Sequence, residues 1–193
     1  MTAHCLDESF TPSLVVLRVK PFPGSHTANN ISNVIQDVIE DFKIPSHKIH
    51  RIVHDNAANM LKGISNTGIK SLSCFLHTSQ LVIHDTIFEQ RIIKDIIANC
   101  RKITSHFNHS PLAYSKLEEL QKQHNIVQHK LVQDVPTRWN STYLMMERMY
   151  EQRSAIAAYC AEVANLPVFD ANKWGLIGKC SNLLKMFHQM TQR

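Results

Sequence analysis

Apolar positions change their period part-way along this chain. Leu14-Val15-Val16-Leu17-Arg18-Val19 is a short β-branched run between Pro12 and Pro21, which predicts a strand. Met1 to Cys5 is expected to pair with it as a hairpin across the polar Asp7-Glu8-Ser9 turn. Pro21-Phe22-Pro23-Gly24 breaks the chain, and a helix starts near Thr27. Its apolar residues Ile31, Val34, Ile35, Val38, Ile39 and Phe42 recur at i, i+3, i+4, i+7, and Pro45 ends it. Lys48 to His54 reads as the next strand, and Gly63 to Gly68 as a polar connector.

Beyond the connector the pattern is helical only. Ile93, Ile96, Ile97, Cys100, Ile103 and Phe107 form one stripe. Ser110-Pro111 supplies an N-cap with proline in the first turn, so a new helix begins there. Pro136 closes a loop before a helix carrying Trp139, Tyr143, Met146, Met149 and Tyr150, and Asp170 caps a last helix with Trp174, Ile177, Leu184 and Phe187. Two regions follow, residues 1–66 with mixed strand and helix and residues 67–193 with helix alone.

Composition narrows the class. A 193-residue chain that is 44% hydrophobic and 19% charged, with only 5 glycines, is expected to fold around a core. No apolar run is long enough to cross a bilayer and no signal-peptide pattern opens the chain, so no membrane partner is expected and the chain reads as soluble and intracellular. Five scattered cysteines (Cys5, Cys74, Cys100, Cys160, Cys180) argue against a disulfide framework and for a reducing compartment. Cys74 and His77 make half of a zinc pair, and no second pair completes it. His106 and His109 flank a helix end and are expected to face water. No metal site is therefore predicted. The net charge of +5 is uneven: residues 1–55 carry 5 Lys/Arg against 6 Asp/Glu, and residues 56–193 carry 16 against 10. That excess fits either a nucleic-acid-facing surface or a solvated helical one.

Candidate chemistry centres on His54-Asp55-Asn56-Ala57-Ala58-Asn59-Met60. Asp55 ends an apolar strand where a small-residue helix begins. α/β folds place ligand and metal chemistry at that junction, and helix caps occupy it too. Cys74-Phe75-Leu76-His77-Thr78 and Gln133-Asp134-Val135-Pro136-Thr137-Arg138-Trp139-Asn140-Ser141-Thr142 follow in order. With Thr2-Ala3-His4-Cys5-Leu6-Asp7 and Pro21-Phe22-Pro23-Gly24-Ser25-His26-Thr27, the set resembles the hAT superfamily of DNA transposases. Its strongest likeness is to the host proteins derived from them, the BED-type zinc-finger proteins.

The resemblance implies a fold and a role. The fold would be α/β, a partial RNase H-like core of few strands in a mixed sheet, with a large all-helical insertion and helix predominating overall. Cut-and-paste transposition uses two divalent ions held between carboxylates, which in the family are two aspartates and a glutamate. Asp55 matches one of the three. The first strand is expected to precede Met1 and the glutamate to follow Arg193. Asp7, in a turn, and Asp85, on a helix face, are not expected to substitute. Asp55 is thus read as a vestigial metal-binding aspartate, and the chain as no enzyme. His77 matches a near-site histidine, or is a half-buried structural one. Arg138 and Trp139 match the family's DNA-end contact: Trp139 would stack on a displaced base, or belong to the core, and Arg138 would reach a phosphate or cap a carbonyl. No cofactor is expected in this chain; magnesium belongs to active relatives and zinc to a BED finger outside it. DNA, bound weakly and without sequence preference, is the expected partner, with homo-oligomers forming through regions outside this chain. The expected compartment is the nucleus. Two rivals stand beside this reading: a piece of an active DNA transposase, and a helical protein-interaction module.

Overall fold

The two proline-bounded runs form a hairpin. β1 (Thr2–Leu6) pairs antiparallel with β2 (Pro12–Val16), Thr2 opposite Val16 and Leu6 opposite Pro12. Asp7 builds the turn, its Oδ1 accepting from the Ser9 N–H at 2.8 Å and the Thr11 N–H at 2.9 Å. Aspartate favours turns through such local bonds to the backbone. The strand stops short of the predicted Val19, and Arg18 instead pairs with Asp41. The computed structural model describes residues 1–19, 21–22 and 24–191; Pro23, within the predicted chain break, lies outside them.

α1 (Ala28–Asp41) begins at Thr27, whose Oγ1 accepts from the Asn30 N–H at 3.3 Å. Its apolar stripe buries Ile31, Ile35 and Val38, and it packs on α2 (Ala58–Asn66). The helices approach so closely that a Cβ on Gly63 would lie 2.7 Å from Ile31 Cγ2 and 2.9 Å from the Ala28 carbonyl oxygen. Gly63, expected in a polar connector, is therefore a buried helix residue. Glycine disfavours a helix interior by about 1 kcal/mol relative to alanine, and the close packing of the two helices requires it here. Ile31, Ile35 and Ile64 make the small core of this part, flanked by Phe22, Ile39, Ile52 and Met60.

The strand predicted for Lys48 to His54 is shorter. A 3₁₀ turn (Ser46–Lys48) leads to β3 (Ile52–His54), which pairs parallel with β4 (Ser71–Ser73). β4 was not expected, because Ser-Leu-Ser lacks the β-branched run that marks strands. In place of one mixed sheet, the described residues hold two separate two-stranded sheets, one antiparallel and one parallel. The chain divides into compact units Met1–Thr78 and Ser79–Arg193. Segment 67–78 carries β4, and the ladder from β4 to β3 keeps it with the strands.

The second unit is helical among its described residues. α3 (Phe75–Ile83) runs into it and continues as a π-helical turn (His84–Phe88). Then come α4 (Arg91–His109), α5 (Pro111–Gln123), α6 (Trp139–Glu151), α7 (Arg153–Glu162) and α8 (Ala171–Thr191). The predicted α4 stripe is buried throughout. Ser110 Oγ accepts from the Ala113 N–H at 3.2 Å, and Asp170 Oδ1 from the Lys173 N–H at 2.8 Å, so both predicted caps form. α6 and α8 touch at Gly178, where a Cβ would meet the Tyr150 ring at 2.8 Å. The fold is thus a helical α/β protein with few strands.

Candidate carboxylate site and nucleic-acid interface

Asp55 stands exposed at the carboxyl end of β3. Its Oδ1 accepts from the Ala57 N–H at 3.3 Å, and Ala57 itself holds the cap position of α2 without a side-chain cap bond. Asp55 therefore shapes the turn one step before the helix, is held in no salt bridge among the described residues, and keeps its carboxylate in solvent. Three signature stretches converge here. His54 is buried with its ring Nδ1–H donating to the Asp55 carbonyl, and the Cys74 N–H donates to the His54 carbonyl at 2.7 Å. Asn56 Nδ2 donates to Thr78 Oγ1 at 3.3 Å, and Asn59 Nδ2 to the His26 carbonyl at 2.8 Å. His77 is half-buried on α3, and its ring makes no hydrogen bond among the described residues. The polar residues of these motifs chiefly bind the chain to itself.

These residues do not fit a pair of divalent ions. Magnesium needs oxygen ligands from more than one carboxylate when no substrate supplies them. Among the described residues no three of His, Cys, Asp and Glu come together to hold a metal ion, and Cys74 with His77 makes only half a zinc set.

Arg138 and Trp139 belong to the other unit, at the start of α6. The loop before them is held by Asp134, whose side chain is fully buried. Arg101 donates to it from Nε at 3.0 Å and from Nη2 at 2.7 Å, and Thr142 Oγ1 donates at 2.9 Å. Burial pushes the Asp134 carboxyl up, but the bonds from Arg101 and Thr142 outweigh it and hold the group below the usual carboxylate range. Ser141 ties the turn, its Oγ accepting from the Val135 N–H at 2.8 Å. A buried amide pair secures the loop's earlier half: Gln121 Nε2 donates to the His129 carbonyl and to Gln152 Oε1, and Gln152 Nε2 to the Val127 carbonyl, each at 2.9 Å.

The two predicted contact residues part company. Arg138 is exposed, with its backbone N–H donating to the Val135 carbonyl at 2.8 Å. Trp139 is only 2% exposed, its ring edge-on to Phe187 and His188 and its backbone N–H donating to Gln80 Oε1 at 2.9 Å. In this structure the indole offers no free face to a base, and the helical spacing of Trp139, Tyr143 and Met146 marks a core stripe. His106 also departs from expectation: half-buried, with Nε2 3.0 Å from the Tyr159 hydroxyl, it does not simply face water. Sequence reasoning missed Arg101, Gln121 and Gln152, whose partners lie 31 or 33 positions away. Asp134 was visible within a quoted motif, but nothing there marked it as the residue that fixes the loop.

Comparison with known proteins identifies both parts. Residues 72–177 match the ZBED1 RNase-like helical domain and residues 1–81 the ZBED1 RNase-like domain. Human zinc finger BED domain-containing protein 4 is 33% identical over 135 residues, 70% of this chain and 11% of that protein. Human zinc finger BED domain-containing protein 6 is 29% identical over 171 residues, 84% of this chain and 17% of that protein. The Drosophila melanogaster transposable element Hobo transposase is 29% identical over 150 residues, 78% of this chain and 21% of that protein. The chain thus spans about a tenth to a fifth of the length of these relatives.

Proposed function

The chain belongs to the ZBED1 RNase-like helical domain family, and from that premise we propose that it is part of a hAT transposase-derived nuclear protein that acts on DNA as a regulator and not as a nuclease. The observation that carries this reading is Asp55. It sits at the strand end where the family's chemistry would need a carboxylate, and among the described residues no cluster of ligands forms around it. On this reading the chain by itself does not cut DNA. Magnesium chemistry belongs to active relatives, zinc to a BED finger outside this chain, and association between copies to regions outside it. Contact with DNA is weak and follows charge: Arg138 is exposed at the start of α6, and residues 56–193 hold the excess of Lys and Arg.

The test combines two measurements on this chain. Fluorescence anisotropy with a labelled duplex is expected to give weak binding that falls steeply with salt, because neutralised phosphates release counterions. Supercoiled plasmid incubated with Mg²⁺ or Mn²⁺ is expected to stay uncut. Nicking that Asp55→Asn abolishes would overturn the regulator reading in favour of an active transposase. A second reading is favoured by the burial of Trp139: the helical unit would be a protein-interaction module. Absence of duplex binding at low salt would select it. A fluorescent fusion of the full-length protein tests the nuclear assignment.

A further inference from the structure

A groove beside the end of α4 has no role in the reading above. Lys102, Ser105, His106 and His109 share one helical stripe, while Ile103 and Phe107 point into the core. Facing the stripe, the turn Ala164-Asn165-Leu166 forms the other side of an open, solvent-facing groove of about 500 Å³, with Ser110 at its edge. That is the size of a small-ligand site. Among the described residues no acidic side chain lines it, whereas a lysine, two histidines, two serines and an asparagine do.

Local bonds favour an anion there. His109 Nδ1–H donates to the Ser105 carbonyl at 2.8 Å. The ring bond adds to the helix's own bond at that carbonyl, so its oxygen is not turned on an incoming anion. Lys102 is exposed and in no ion pair among the described residues, so its charge is available. Asn165 holds φ at 69°, a left-handed conformation that asparagine tolerates better than most residues and that turns the chain tightly opposite α4.

We propose that this groove is a phosphate site and that the phosphate it takes is one of a DNA backbone. The site rests on the DNA-binding reading above. Inorganic phosphate is the same chemistry from a second source, so the experiment carries both. The ¹⁵N-labelled chain is titrated with a short blunt duplex and, separately, with inorganic phosphate; Lys102→Gln, Lys102→Arg and Arg138→Gln are titrated with the duplex.

The duplex is expected to move the amide resonances of Ser105, His109 and Asn165. Lys102→Gln should weaken duplex binding several-fold and lower the salt slope by about 1, as loss of one phosphate contact does, while Lys102→Arg retains both. Lys102 is an exposed side chain, so the unfolding midpoint should not change. Duplex binding that is unaltered in Lys102→Gln but lost in Arg138→Gln overturns the groove site and leaves the DNA reading standing. No duplex binding by the unaltered chain overturns both. Resonance shifts with inorganic phosphate but not with duplex overturn DNA as the source.

Discussion

Between Ser79 and Thr191 the apolar stripes meet one another, whereas in Met1–Thr78 many of them meet solvent. The helical unit gathers Ile96, Cys100, Ile103, Leu117, Met145, Met149 and Ile177 into one continuous core. The first unit buries little beyond Ile31, Ile35, Val38 and Ile64, and leaves Leu6, Leu14, Val16 and Val19 between 59% and 90% exposed. Long amphipathic helices can cover each other's stripes within one segment. A two-stranded sheet cannot cover its own faces and is marginal alone. The exposed carboxylate thus lies on the unit with the smaller core, where local opening costs least. The residues that fix Arg138 lie in the unit with the larger one.

The sharpest way to break this comparison is Trp139→Ala. Removing a buried tryptophan costs about 3–5 kcal/mol, which would lower the unfolding midpoint by ~10 °C or more. Calorimetry measures it. Because the ring lies in the core, DNA binding should fall equally on blunt duplex and on flapped DNA. A selective loss on flapped DNA at an unchanged midpoint would restore the ring as a stacking platform.

Asp134→Ala comes next, at about 3 kcal/mol, since it leaves the half-buried Arg101 without its partner. The pH dependence carries a sign. The folded-state pKa of Asp134 is depressed, so its contribution is full above the unfolded value of about 4 and is lost as pH falls through the folded value. Midpoints measured between neutral and acid pH should fall more for the unaltered chain than for Asp134→Ala. Parallel curves would show that the Arg101 bond does little for stability.

What the sequence made legible follows from the range of the interactions. The α4 stripe, the Thr27, Ser110 and Asp170 caps and the Asp7 turn are set by residues within a few positions, and each formed where the pattern placed it. β4 was hidden because Ser71-Leu72-Ser73 becomes a strand only by pairing with β3. Gly63 looked like a linker because its reason for being glycine is Ile31, 32 positions earlier. At the site, Asp55 was read as a carboxylate at a strand end and Arg138 as a phosphate contact or a carbonyl cap, and both residues are exposed. Trp139 carried two readings, stacking platform or core, and burial favours the core.

Ile64→Val probes the smaller core. The loss should be about 1 kcal/mol, and amide hydrogen exchange should show it in α1 and α2 while α4 and α6 keep their protection. Equal loss of protection in α4 and α6 would mean that the two units open together.

Asp55→Asn should have the smallest effect. The carboxylate is exposed, and its one bond among the described residues is an acceptor bond from the Ala57 N–H, which an asparagine Oδ1 can also accept. Stability should change by less than about 0.5 kcal/mol, as surface substitutions usually do. Calorimetric titration with Mg²⁺ should give the same weak or absent heat for both chains, because one carboxylate supplies too few of the oxygen ligands the ion requires. A clear Mg²⁺ isotherm lost on Asp55→Asn would mean that other carboxylates reach Asp55 in solution. The first unit would then hold a working ligand set despite its small core, and the contrast with the helical unit would no longer separate chemistry from stability.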